Sequence, residues 1–188
     1  MLPLTSSLYS GVFVYFFYTH THTHTHKEKK RKEKKTLLRG CYREMTENDR
    51  GTNVEQYIGE IKGGLKPAMK ITIIGVICSN PKSFAVTLLC DPMDASKDIG
   101  LLLTVNFSEK SITRNAQIAG KWGREEKNIP YFPFTAGDTF KMELFCEHQQ
   151  IRVLLDGRQL CYFTHRVQPL HLVTALQISG DIRLTKVA

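Results

Sequence analysis

Cysteine is scarce and scattered in this 188-residue chain: five residues, no Cys-x-x-Cys pair, an odd total. That argues against a disulfide framework and a cysteine-based zinc site, and it suits a reducing compartment. Cys78, Cys90, Cys146 and Cys161 fall in apolar, strand-like runs, where each is expected to be a small buried thiol. Long apolar runs are lacking too. Leu8–Tyr18 (LYSGVFVYFFY) has 11 residues, well short of the about 20 needed to cross a bilayer. As a secretory signal it lacks a preceding Lys or Arg and a following small-residue cleavage site. From residue 54 onward no ten-residue stretch carries a clean helical stripe. Catalytic constellations are also missing. Glu125 and Glu126 are neighbours, so in a strand they point to opposite faces and cannot form a facing carboxylate pair. His148, His165 and His171 have no evident nucleophile beside them. The chain is therefore not expected to be an enzyme, and no catalytic residue, metal or cofactor is assigned.

What is present divides the chain in two. The net charge of +8 is concentrated in Lys27–Lys35, which holds seven basic and two acidic residues and leaves the remainder at +3. The basicity is a tail property, so a broad nucleic-acid-binding face is not expected. His20, His22, His24 and His26 alternate with threonine. Such spacing can hold a metal in an extended strand, but the uninterrupted repeat reads first as low complexity. Residues 1–53 are expected to be a disordered, low-complexity extension, with Thr36–Asn53 a polar linker.

Residues 54–188 read as the folded domain. Strands are expected at Tyr57–Glu60, Met69–Ile77, Phe84–Leu89, Ile99–Phe107, Ser111–Ile118, Phe140–Glu147, Ile151–Leu155, Gln159–Phe163, Val173–Ile178 and Asp181–Val187. Asp156-Gly157 and Ser179-Gly180 read as hairpin turns. Strand candidates every ten residues or so point to an all-β, two-sheet antiparallel sandwich.

The informative stretch is Leu101–Phe134. It holds the single tryptophan, Trp122, set among glycines and charges in Gly120-Lys121-Trp122-Gly123-Arg124-Glu125-Glu126-Lys127. Upstream, Leu103, Val105 and Phe107 alternate with Thr104, Asn106 and Ser108, so the apolar three face a core and the polar three an outer surface. An open polar strand face beside a half-exposed indole has the chemistry of a sugar site: a flat apolar platform, with amides and charges for the hydroxyls. The same residues also fit a core tryptophan beside an ordinary surface strand.

This segment resembles the carbohydrate-recognition domain of the galectins. Their pattern is His-x-Asn-x-Arg, then Val-x-Asn, then Trp-x-x-Glu-x-Arg. Thr104-Val105-Asn106-Phe107-Ser108 takes the first place without its His and Arg. Thr113-Arg114-Asn115 takes the second and keeps the Asn. Trp122-Gly123-Arg124-Glu125-Glu126-Lys127 takes the third, with Lys127 for the Arg. Ile129–Phe134 resembles the family's Phe-Pro-Phe turn and Ile178–Ile182 its closing Gly-Asp hairpin. The altered motif is most similar to the galectin-related protein branch.

The resemblance implies a jelly-roll sandwich and a sugar groove in which Asn106, Asn115, Trp122, Glu125 and Lys127 are retained while Thr104 and Ser108 replace the grips on galactose's axial hydroxyl. Each lost hydrogen bond typically costs about 0.5–1.5 kcal/mol, and about 1.5–3 where a charged group took part, so two or three such losses, His and Arg among them, predict at least ~100-fold weaker binding. Two functions stay open: a lectin with a weakened or altered β-galactoside site, or a protein-interaction module on the same scaffold. The partner is then a glycan or a protein, with no nucleic acid and no membrane span. A monomer or weak homodimer is expected, cytoplasmic or nuclear, or exported by the unconventional route common among galectins.

Overall fold

The computed structural model describes residues 39–42, 55–91 and 98–188. The Leu8–Tyr18 run, the His20–His26 repeat and the Lys27–Lys35 cluster lie outside them. No helix among the described residues is long and apolar enough to cross a membrane.

The described residues form twelve strands: β1 (Arg39–Tyr42), β2 (Glu55–Glu60), β3 (Lys70–Ile77), β4 (Ser83–Leu89), β5 (Ile99–Asn106), β6 (Ser111–Ile118), β7 (Lys121–Trp122), β8 (Thr139–Cys146), β9 (Gln150–Leu155), β10 (Arg158–Thr164), β11 (Ala175–Gly180) and β12 (Ile182–Val187). They make two antiparallel sheets, one ordered β1-β2-β11-β4-β5-β6-β7 and the other β10-β9-β8-β3-β12. The expected all-β sandwich is what forms. One short 3₁₀ turn, Leu170–Leu172, is the only helical element described.

Period-2 patterning explains the layers. Along β3, burial alternates residue by residue, with Ile71, Ile73 and Ile77 fully inside. β9 repeats it with Ile151, Val153 and Leu155. Each strand keeps one apolar face, and the two faces meet to form the core. Phe84 on β4 stacks on Phe140 of β8 at 5.6 Å, which joins the sheets directly. Phe134 meets both rings edge-on, at 5.2 and 5.9 Å. Phe107 and Phe132 extend the cluster toward the β5–β6 end.

Four readings of the sequence are corrected. Ser179-Gly180 does not close a hairpin. β11 belongs to the seven-stranded sheet and β12 to the other, so the chain crosses between layers there. Asp181 fixes the crossing, its Oδ2 accepting from the Lys82 and Ser83 amides at 2.7 and 3.1 Å. The supposed linker contains β1, which pairs with β2 from Arg39↔Glu60 to Tyr42↔Tyr57. That pairing completes a sheet edge and leaves no periodic trace in so short a segment. Cys78 is exposed and Cys90 half-buried, because both lie just beyond strand ends; only Cys146 and Cys161 are buried. Finally, β5 ends at Asn106, so Ser108 lies in the turn and not on the strand face. By contrast Asp156-Gly157 is the expected two-residue hairpin turn, with φ of 49° and 81° matching its left-handed requirement.

Two outcomes follow. Phe84→Ala removes the ring that bridges the sheets and is expected to cost about 3–5 kcal/mol in urea unfolding. Burial raises the thiols of Cys146 and Cys161 from 9.0 to about 11. A raised folded-state value stabilises the fold below the unfolded pKa, and that contribution is lost as pH climbs through the folded value. Stability should therefore fall between about pH 9 and pH 11, less so in a Cys146→Ala, Cys161→Ala double variant. Native-state alkylation should reach Cys78 and spare these two.

Candidate functional site

The site is built on three neighbouring strands of the larger sheet. On β5, Leu101, Leu103 and Val105 are buried, which turns Leu102, Thr104 and Asn106 outward. On β6, Ile112, Arg114 and Ala116 are buried, which turns Thr113, Asn115 and Gln117 outward. The register sets Thr104 opposite Thr113, Leu102 opposite Asn115 and Asn106 opposite Ser111. β7 sets Trp122 directly opposite Gln117. Directly paired residues share a face, so Trp122 lies on the same outer face as Asn115, Thr104 and Asn106. Its ring is 50% exposed.

After β7 the chain runs on beside β6, and Glu126 pairs with Arg114 through both backbone hydrogen bonds, at 2.8 and 2.9 Å. Glu125 and Lys127 flank Glu126 and pair with each other, Nζ to Oε1 at 3.0 Å. The hydrogen bond and charge of Glu125 hold the Lys127 ammonium above the usual lysine range, and Glu109 adds to the effect. Glu109 belongs to the turn after β5.

The two asparagines are less free than their sequence positions suggest. Asn106 Oδ1 accepts from Ser108 Oγ at 2.8 Å and from the Glu109 amide at 3.0 Å, so it organises the β5–β6 turn. Ser108, standing where the galectin pattern has Arg, is spent on this bond. Asn115 Oδ1 accepts from the Ala116 amide at 2.8 Å and from Arg166 Nη1 at 3.0 Å, while its Nδ2 donates to Gly123 O at 2.9 Å. Both amides have their oxygen engaged by the protein, so what remains toward solvent is N–H donor capacity.

Arg166 was invisible to motif reasoning. It follows β10 of the smaller sheet, 51 residues from Asn115, and no local spacing marks it. Its other arm donates from Nη2 to Glu126 Oε1 at 2.7 Å, and its guanidinium lies 4.6 Å over the Phe163 ring. One planar fork thereby ties β6 to the strand after Trp122. Gly123 is the glycine this contact requires: a Cβ there would stand 2.6 Å from Arg166 Nη1.

The residues read from the galectin pattern therefore divide by place. Thr104, Asn106, Asn115 and Trp122 share the outer face, Glu125 and Lys127 stand beside it as an ion pair, and Ser108 sits in the adjoining turn. Among the described residues, no cluster of His, Cys, Asp or Glu is arranged to hold a metal.

Residues 56–188 match the family model described as galactoside-binding lectin. This chain belongs to that family. Human Galectin-4 is 33% identical to it over 131 residues, which cover 70% of this chain and 40% of that protein's length. The matched segment thus spans less than half of that relative. Within the galectin domain here, strand order, outward Trp122 and the Asn106/Asn115 pair occupy one continuous face.

Replacing Arg166 with Met should release Asn115 and Glu126 together. The expected loss is about 1–3 kcal/mol in denaturant unfolding. Because Trp122 is the single tryptophan, its emission should shift to the red and quench more readily with acrylamide as its strand loosens.

Proposed function

We propose that residues 54–188 act as a glycan-binding domain whose β-galactoside site is degenerate, so that lactose binds very weakly or not at all. The observation that carries this reading is the state of the polar groups beside Trp122. Thr104 is short, Ser108 is turned into a loop and bonded to Asn106, and Lys127 is neutralised by Glu125. The groove offers an indole platform and amide donors, but no unpaired cation among Asn106, Asn115, Glu125 and Lys127. Stacking on the indole contributes on the order of 1 kcal/mol beyond area burial. That is too little to replace lost charge-assisted hydrogen bonds, each about twice as strong as a neutral one.

Isothermal titration with lactose should give no submillimolar binding, while a glycan array should show retention that Trp122→Ala removes. Submillimolar lactose affinity would sink this reading.

The second reading is a protein-interaction module on the same scaffold. The engaged oxygens of Asn106 and Asn115 favour it, since they leave fewer groups for hydroxyl recognition. Capture of a protein partner that persists in excess lactose and in the Trp122→Ala variant would decide for it. On either reading the domain is a monomer or weak homodimer. Four free cysteines among the described residues support a reducing, cytoplasmic or nuclear setting.

A further inference from the structure

A cleft of about 640 Å³ opens between the Arg124–Pro130 segment and the edge strand β10, floored in part by Arg114 and Cys161. Its size falls within the roughly 300–1,000 Å³ typical of small-ligand sites. Trp122, Thr104, Asn106 and Asn115 do not line it. Only the Glu125–Lys127 pair is common to this cleft and the site above. We propose that the cleft is a second binding site, for an oxyanion (carboxylate, sulfate or phosphate ester) borne on a small molecule or saccharide.

The charges of the lining carry this. Glu125 is taken by Lys127 at 3.0 Å and Glu126 by Arg166 at 2.7 Å. Two cations of the lining, Arg114 and Arg124, then have no carboxylate within 4.0 Å among the described residues. Arg114 is the telling one. It is 3% exposed, and a charge so deeply buried is costly unless compensated. Its Nη1 and Nη2 donate to the carbonyls of Ile112 and Asn128, at 3.2 and 3.0 Å, and its Nε–H has no acceptor in the protein. The missing partner is an acceptor carrying negative charge, and a planar guanidinium suits a carboxylate, sulfate or phosphate.

The walls narrow the class further. Tyr162, 55% exposed, offers a flat face on one side, and Ile129 and Pro130 offer apolar surface on the other. An added peptide strand fits poorly. β10 breaks register between Gln159 and Cys161, and a bulge of this kind spoils an edge for regular pairing. A compact anionic ligand, with a ring or apolar body against Tyr162, matches the shape and charge.

The test is an amide-resolved NMR titration of the full chain with inorganic phosphate and with galactose 6-sulfate. Sodium chloride at equal ionic strength and free galactose serve as controls. The expected result is saturable shifts confined to Arg124–Pro130 and Gln159–Tyr162, absent in both controls. Binding should weaken at least tenfold in Arg124→Ala, an exposed substitution that leaves the buried Arg114 in place. Arg114→Met should abolish it if that variant folds, and Arg124→Ala carries the test if it does not. Response to phosphate identifies a free anion as sufficient; response to the sulfate ester alone identifies a saccharide-borne one. Shifts that grow linearly, scatter over the surface, or persist unchanged in Arg124→Ala would overturn the proposal. The Trp122 indole resonance, followed with lactose in the same samples, reports separately on the sugar face.

Discussion

The guanidinium of Arg166 is the contact on which the local architecture turns. It belongs to the smaller sheet's side of the chain, yet its two arms end on Asn115 and Glu126 of the larger sheet's margin. Packing over Phe163 fixes its plane. With the plane fixed, the spacing between β6 and the strand after Trp122 is set by two short hydrogen bonds. A planar, charged, two-armed group holds both segments at once, which a lysine ammonium in the same place would not do. The segment that carries the exposed indole is thus held by a residue that reaches the outer face only through Asn115.

Beneath that clamp, the sandwich supplies rigidity. Phe84, Phe134 and Phe140 join the sheets through mutually stacked and edge-on rings. Alternation along β6 then places neighbouring residues in opposite worlds. Arg114 faces inward toward the side cleft, and Asn115 faces outward beside Trp122. One strand therefore contributes to two distinct surfaces, and a change in its register would exchange them. The positive charge concentrated inside and the donor-rich face outside are two consequences of the same pleat.

Much of this was legible in the residues. The alternation of Leu103 and Val105 with Thr104 and Asn106 showed which face of β5 is open, and Asp156-Gly157 marked its hairpin. Trp122 stood out because glycines and charges surround it. The galectin-like order of Asn106, Asn115, Trp122 and Glu125 pointed to one groove. Less legible was the state of each group. Asn106 looked like a free amide and is a turn organiser. Ser108 looked like an outward strand residue and is its hydrogen-bond donor. Ser179-Gly180 looked like a hairpin and is a crossing between sheets, because a turn signal records that the chain bends and not which sheet receives it.

By itself the sequence settled what local periodicity can settle: most strand positions, the apolar and polar faces, and the all-β class; the order and spacing of its motifs carried the galectin resemblance. Partners distant in the chain were decided by the tertiary structure alone. Arg166 finding Asn115 across 51 residues, β1 joining β2, and Arg114 left without a carboxylate all depend on how the two layers meet. Side-chain alternation is written residue by residue into a strand, whereas the pairing of charges and amides between layers exists only once those layers are packed.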